Sequence, residues 1–164
     1  MINIFKKEGL KRKCNRYLAK HQYEKVLQLT PKAIADFPKD PQFYIYTLWA
    51  LSELKHLDQA LEEADKALQI FENHLVLLNL KGEICFKKGL FDDAIACLEY
   101  VHQTTPDNLH TCYILGQVYT AKGDLDTASR YFEPILQYDP KLLQVRMLAM
   151  SERFIFEMNQ KQVL

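Results

Sequence analysis

The sequence predicts an all-α fold, an α-solenoid of four helix-turn-helix repeats with a 34-residue period and a capping helix after them. The main observation is that small residues and proline recur 34 residues apart, in the pairs Gly82 and Gly116, Gly89 and Gly123, Ala94 and Ala128, and Pro106 and Pro140. A second observation is that apolar residues between these markers follow the three-and-four spacing of a helix. A third is that no segment has the alternation of a strand.

Each repeat is predicted to contain two helices separated by a short turn. In the last repeat, residues 109–142, one face of the first helix is formed by Cys112, Leu115, Gly116 and Tyr119. Gly123 is expected to end this helix, because a helix C-terminus favours a residue that tolerates positive φ. The second helix begins near Leu125 and ends before Pro140, since proline cannot continue a helical hydrogen-bond ladder.

The same frame extends backwards through the chain without insertion, and residues 1–164 are predicted to form a single domain. The repeats are residues 7–40, 41–74, 75–108 and 109–142, with the capping helix at residues 143–158. The first two repeats are degenerate, because they hold larger residues at the glycine positions: Cys14, His21, Leu48 and Lys55. In the later repeats the small residues predict close packing, with Gly116 facing Ala128.

This pattern resembles the tetratricopeptide repeat, whose signature places leucine, glycine, tyrosine, alanine, phenylalanine and proline at set positions. The fourth repeat matches at Leu115, Gly116, Tyr119, Gly123, Ala128, Phe132 and Pro140. The resemblance implies a non-enzymatic scaffold or adaptor. In such proteins the first helices line a concave groove that binds a peptide or helix of a partner.

The resemblance also implies which side chains line that groove. They are Lys11, Asn15, Ile45, Trp49, Asn79, Glu83, Phe86, Tyr113 and Gln117, with Tyr46 beside Trp49 and with Met147 and Phe154 on the capping helix. Trp49 is the lone tryptophan and lies away from the usual aromatic position of the repeat, so we expect it to anchor a partner. The alternative is that Trp49 packs against a neighbouring first helix or against residues 1–5.

The predicted partner is a protein or peptide segment with hydrophobic anchors and some acidic residues. The groove is mainly apolar, and its amino-terminal end is basic through Lys11, Arg12 and Arg16. One known ligand is excluded, the acidic carboxyl terminus of heat-shock chaperones. The co-chaperones that hold it need lysine, arginine and asparagine at positions that here include Tyr46 and Val76, where a carboxylate would be desolvated against apolar surface.

Other classes of function have little support in the sequence. The five histidines fall at different repeat positions and no glycine-rich loop follows a strand, so we expect no enzyme, no cofactor and no metal site. The four cysteines are interpreted as small buried thiols: Cys14, Cys85, Cys97 and Cys112. The basic start has few aromatics to stack bases, which disfavours nucleic acid. With no signal peptide and no integral membrane segment, we expect a cytoplasmic protein.

The alternative function is a bacterial secretion-type tetratricopeptide chaperone that holds a hydrophobic partner protein. Such chaperones typically have three repeats and an amino-terminal dimerisation helix, so four repeats weaken the match. The capping helix carries apolar Met150, Phe156 and Met158. These residues indicate contact with the fourth repeat, a homodimer interface, or a chain cut from a longer repeat array.

Overall fold

The structure is a computed structural model that describes residues 2–138, which form eight α-helices and no strand. The helices are α1 (Ile2–Ala19), α2 (Tyr23–Asp36), α3 (Pro41–Glu53), α4 (Leu57–Ile70), α5 (Leu75–Lys88), α6 (Phe91–Thr104), α7 (Leu109–Lys122) and α8 (Leu125–Tyr138). The all-α prediction is confirmed. None of these eight helices is both long and apolar enough to cross a membrane.

The 34-residue period is visible in the helix boundaries. The second helices begin at Tyr23, Leu57, Phe91 and Leu125, and the first helices after α1 begin at Pro41, Leu75 and Leu109. The first helix of the chain departs from the frame, because α1 begins at Ile2 rather than at the predicted Lys7. The predicted capping helix at residues 143–158, with Met147 and Phe154, lies outside the described residues.

Side chains cap the N-terminal ends of α3, α5 and α7, and glycines end α5 and α7. Asp40, His74 and Asn108 each accept a backbone N–H of the first turn, at distances of 3.1, 3.4 and 3.2 Å. At the C-terminal ends of α5 and α7, Gly89 and Gly123 have left-handed φ angles of 83° and 81°. The predicted helix end at Gly123 is therefore confirmed, and the reason is the glycine backbone.

Two compact units divide between Gly89 and Leu90. In the first unit α3 is the central helix, because it contacts α1, α2, α4 and α5. The apolar interior of this unit has two parts. The α3–α5 core includes Leu48, Ala60, Ala64 and Leu77, and the α1–α3 core includes Cys14, Val26, Phe43 and Ala50.

In the second unit α7 packs against α6 and α8. The core residues include Cys112, Ala128, Phe132 and Ile135. A Cβ atom on Gly116 would overlap the Phe132 ring, so the bare backbone of Gly116 makes room for that ring. The sequence predicts Ala128 as the residue facing Gly116, but Phe132 comes nearest. Phe132 lies four residues after Ala128, one turn further along the same face of α8.

Candidate interaction site

Trp49 lies on α3 in the first unit, and 50% of its surface is exposed. It forms one wall of a pocket of about 480 Å³. The pocket is lined by Asn15, Leu18, Ala19, His21, Tyr23, Trp49 and Glu53. About half of the Trp49 surface is therefore covered by the fold, and the other half is open to solvent.

Three segments of the chain build this pocket, which we call the Trp49 pocket. The end of α1 supplies Asn15, Leu18 and Ala19, whose spacing places them on one face of the helix. The chain then turns at His21, which has a left-handed φ of 53°, and enters α2 at Tyr23. Nδ1 of His21 lies 2.7 Å from the Tyr23 hydroxyl, which links the two side chains at the edge of the pocket.

The sequence predicts Asn15 and Trp49 for the binding surface, and the structure brings both to the pocket. It does not predict His21, Tyr23 or Glu53. Glu53 follows Trp49 by four residues on α3, so helical spacing could have found it. His21 lies in a turn that lacks its usual glycine, and Tyr23 is the first residue of the helix after that turn. The repeat pattern therefore does not specify where their side chains lie.

Glu53 supplies the carboxylate of the pocket and is linked to α5 through Lys87. Nζ of Lys87 lies 3.2 Å from Glu53 Oε1 and 3.1 Å from Glu83 Oε1, and it donates to Ser52 Oγ at 2.9 Å. Burial disfavours the charged ammonium, but the hydrogen bonds to Glu83 and Glu53 outweigh this effect and raise the pKa of Lys87. One ammonium group therefore serves two carboxylates.

The structure buries Ile45 and Tyr46, which the sequence predicts for the binding surface. Ile45 is 9% exposed in the α3–α5 core, and Tyr46 is 3% exposed in the α1–α3 core. The Tyr46 hydroxyl is also occupied by hydrogen bonds with Asn15 and Gln42. The physical reason is that α3 has neighbours on several sides, so most of its side chains are covered while Trp49 stays open.

The predicted residues of α5 are less open than Trp49. Asn79 is buried at 9% exposure, and Glu83 and Phe86 are half-buried. Glu83 is also engaged by Lys87 at 3.1 Å. These side chains therefore offer a partner less surface than the sequence implies.

In the second unit, Tyr113 and Gln117 lie together on α7 and are half-buried. Nε2 of Gln117 donates to the Tyr113 hydroxyl at 3.2 Å, and the Tyr113 ring packs 6.2 Å from that of Phe132 between centroids. The structure thus gives both residues a role within the second unit. Their contact with a partner remains a prediction.

Lys11 is predicted as part of a basic end of the groove, but its ammonium group is already paired. Its Nζ lies 2.8 Å from Asp40 Oδ2 and 3.7 Å from Glu8 Oε1, and the hydrogen bond to Asp40 raises the pKa of Lys11. Burial works against ionisation of Asp40, but hydrogen bonds from Lys11, the Gln42 N–H and Lys7 lower the pKa of that carboxyl. Lys11 is therefore less available to an acidic partner than the sequence predicts.

A separate polar cluster in the second unit joins α6, α7 and α8. The carboxylate of Glu99 accepts hydrogen bonds from the hydroxyls of Tyr119 and Tyr131, whose rings are stacked with centroids 5.6 Å apart. Burial, and then the bond to Glu99, raise the pKa of Tyr131 well above its usual range. Nearby, Cys112 Sγ lies 3.6 Å from His102 Nδ1. Burial raises the pKa of this thiol, which disfavours its thiolate form.

Within residues 2–138, no group of three or more histidine, cysteine, aspartate or glutamate side chains could hold a metal ion. The Trp49 pocket instead combines an exposed aromatic ring, an apolar wall and one carboxylate. The family model of the tetratricopeptide repeat matches residues 86–150. Residues 86–150 of the chain therefore match the tetratricopeptide repeat.

A relative and several solved structures share the tetratricopeptide architecture. TPR repeat-containing protein MJ1428 of Methanocaldococcus jannaschii is 24% identical over 181 residues, covering 85% of this chain and 32% of that protein. The chain therefore spans about a third of the length of this relative. MamA from residue 41 onward, from Desulfovibrio magneticus RS-1, has a TM-score of 0.81 at 20% identity, covering 95% of this chain and 88% of MamA.

A third similar protein is YrrB, described as a TPR protein with an unusual peptide-binding site. Its TM-score is 0.68 at 20% identity, with 85% of this chain and 70% of YrrB covered. These structural likenesses establish only the fold, a helical array of the tetratricopeptide type. The fold supports a protein–protein interaction scaffold, because repeats of this type present surfaces for other proteins.

Proposed function

We propose that this tetratricopeptide repeat protein is a non-enzymatic scaffold or adaptor that binds a segment of a partner protein at the Trp49 pocket. The observation that carries the proposal is the half-exposed indole of Trp49 beside an open pocket. A large aromatic side chain is normally covered in a folded protein, and tryptophan is enriched among the residues that dominate binding energy. The similarity to YrrB, with its peptide-binding site, is consistent with a peptide segment as ligand.

The shape and chemistry of the pocket suit one anchoring side chain. Leu18 and Ala19 line the same pocket as the indole of Trp49 and provide apolar contact, while Glu53 and Asn15 provide polar groups at the same site. Pockets that bind ligands commonly combine a mainly apolar lining with a few polar groups that orient the ligand. The proposal includes a cytoplasmic location, which the four free thiols support.

The test is affinity purification from the source cells with the wild type and with Trp49→Ala, followed by quantitative mass spectrometry. A specific partner should be lost with Trp49→Ala, and its affinity measured with purified proteins should fall roughly 30-fold, the effect of a hot-spot residue worth about 2 kcal/mol. Tyr100→Ala is the matched control, because Tyr100 is an exposed aromatic of the second unit. Thermal melts must show that all three proteins fold equally well.

The outcome that would remove this proposal is a set of specific partners retained equally by the wild type and Trp49→Ala. Loss of the same partners with Tyr100→Ala would also count against it. That result would place the interaction on another surface.

A chaperone for a hydrophobic partner protein is the second candidate, and one observation favours it. Ile4 and Phe5 at the start of α1 are 62% and 75% exposed, and α1 begins five residues before the repeat frame. An exposed apolar helix end of this kind suits the amino-terminal dimerisation expected of such chaperones. Light scattering after size-exclusion chromatography should then show a dimer that Phe5→Glu dissociates. A monomeric wild type would leave this candidate without support.

A further inference from the structure

We infer that the partner residue seated against Trp49 carries a positive charge and is an arginine or lysine side chain. The inference rests on the proposed function and specifies the chemistry of the partner. Trp49 and Glu53 are four residues apart on α3, so they lie one turn apart on the same face and line one pocket. An indole face attracts cations, and a carboxylate accepts charge-assisted hydrogen bonds from them.

The charges of the lining residues favour a cation. Its seven lining residues include one carboxylate, that of Glu53, and no lysine or arginine. Lys87 reaches Glu53 from α5, but the same ammonium group also pairs with Glu83. Two carboxylates share one ammonium group, so this set of three side chains keeps a formal charge of minus one. A carboxylate accepts several hydrogen bonds, so Glu53 can bind a second donor while it keeps Lys87.

The other walls suit the stem of a long basic side chain. Leu18 and Ala19 give apolar contact for methylene groups, and the exposed indole of Trp49 offers a flat surface for a guanidinium or ammonium group. Lysine and arginine side chains bury their stems in this way while the charged head stays near polar groups. The volume of about 480 Å³ accommodates such a side chain.

Two other anchors fit less well. An acidic side chain would meet the carboxylate of Glu53 and would find no lysine or arginine among the lining residues. Like charges in contact across an interface oppose binding. A purely apolar anchor would remove water from the Glu53 carboxylate without adding a positive charge beside it. Only Lys87 would then compensate the carboxylate, so its desolvation would oppose binding.

The test uses a display library of random short peptides selected on the purified protein. Selected peptides are synthesised, and binding is followed by the fluorescence of Trp49, the single tryptophan of the chain. Peptides whose binding requires Trp49 should share an arginine or lysine. Replacing that arginine by citrulline, or that lysine by norleucine, should weaken binding about tenfold through loss of the ring and carboxylate contacts.

Protein variants make the same test from the other side, with peptide binding measured by calorimetry. Glu53→Gln should weaken the arginine peptide about threefold to fivefold, while it keeps an oxygen that can accept from Lys87. Glu62→Gln is the matched control, because it removes the same charge from an exposed site on α4 outside the pocket. It should leave the affinity unchanged.

The two failures can be told apart. If peptides bind through Trp49 but contain no basic residue, or if citrulline binds as well as arginine, the inference is wrong and the proposed function stands. If no selected peptide loses affinity with Trp49→Ala, the proposed function fails and the inference fails with it. Thermal melts of each variant confirm that loss of binding is not loss of fold.

Discussion

At the scale of single residues, four positions spaced 34 residues apart share one backbone conformation. Gly89 and Gly123 have φ angles of 83° and 81°, and His21 and Lys55 have φ angles of 53° and 63°. A left-handed conformation costs a residue with a Cβ atom about 1–2 kcal/mol. In the first two repeats this turn therefore keeps the left-handed conformation although its residue is not glycine, and the backbone is strained at His21 and Lys55.

This strain predicts that Lys55→Gly stabilises the protein. The gain should be about 0.5–1 kcal/mol, because relief of the left-handed penalty exceeds the extra chain entropy that glycine adds to the unfolded state. Urea unfolding followed by circular dichroism measures the change. Lys55→Ala is the control, since it removes the same exposed side chain but keeps Cβ. Equal stabilities of the glycine and alanine variants would contradict the role given to φ.

Thr30 on α2 gives a second prediction at this scale. Its side chain is fully buried, and its hydroxyl has no hydrogen-bond partner among the described residues. A buried polar group without a partner is destabilising, so Thr30→Val should raise the free energy of unfolding by about 1 kcal/mol.

The control for this prediction is Thr47→Val, measured by the same denaturant titration. Thr47 Oγ1 donates to the Phe43 carbonyl at 2.9 Å, so its removal should give no gain. A loss of stability in Thr30→Val would show that the hydroxyl has a partner in solution.

At the scale of helix pairs, residue sizes at two facing positions are complementary. In the fourth repeat Gly116 faces the large ring of Phe132. The equivalent positions in the second repeat hold Leu48 and Ala64, which belong to one core. A large residue on the first helix of a repeat is thus paired with a small residue on the second helix, and a small residue on the first helix is paired with a large one on the second. Leucine at a glycine position is therefore a compensated change rather than a loss of the repeat.

The contact of Gly116 with Phe132 predicts a specific overpacking effect. Gly116→Ala should lower the free energy of unfolding by about 1–3 kcal/mol, because the new methyl group overlaps the ring. The cost should be smaller when the substitution is made in the Phe132→Leu background, as a double-mutant cycle in urea would show. Gly9→Ala is the matched control. Gly9 lies in α1 with open space around it, so alanine should stabilise by about 0.5–1 kcal/mol.

These pairs also show what could be predicted from the sequence. The order of the helices and the helix ends at glycine could be predicted, because the 34-residue period, the positive φ of glycine and the helix-breaking effect of proline are local signals. The residue that packs against Gly116 could not be predicted. A repeat position identifies the face of a helix but not which side chain of the neighbouring helix fills the space beside that face. The same limit explains Ile45 and Tyr46, whose burial depends on the helices around α3. The exposure of Trp49 could be predicted, because its position does not match the usual aromatic position of the repeat.

At the scale of the whole molecule, the boundary between the two compact units falls inside the predicted third repeat. The first unit ends at Gly89 and includes α5, while the second begins at Leu90 and includes α6. In repeat proteins, stability is approximately a sum of the stabilities of single repeats and of contacts between neighbouring repeats. A substitution in one unit should therefore affect that unit more strongly than the other.

This expectation can be measured because the single tryptophan, Trp49, lies in the first unit and reports on it alone. In urea, Gly116→Ala should lower the transition midpoint seen by circular dichroism, which reports all helices. It should lower the midpoint seen by Trp49 fluorescence by about half as much or less, because the loss of stability in the second unit is only partly transmitted to the first unit. Leu48→Ala in the first unit is the reciprocal control and should shift Trp49 fluorescence most, at a cost of about 2–5 kcal/mol. If Gly116→Ala moves both transitions equally, the chain unfolds as one cooperative domain and the division at Gly89 has no thermodynamic meaning.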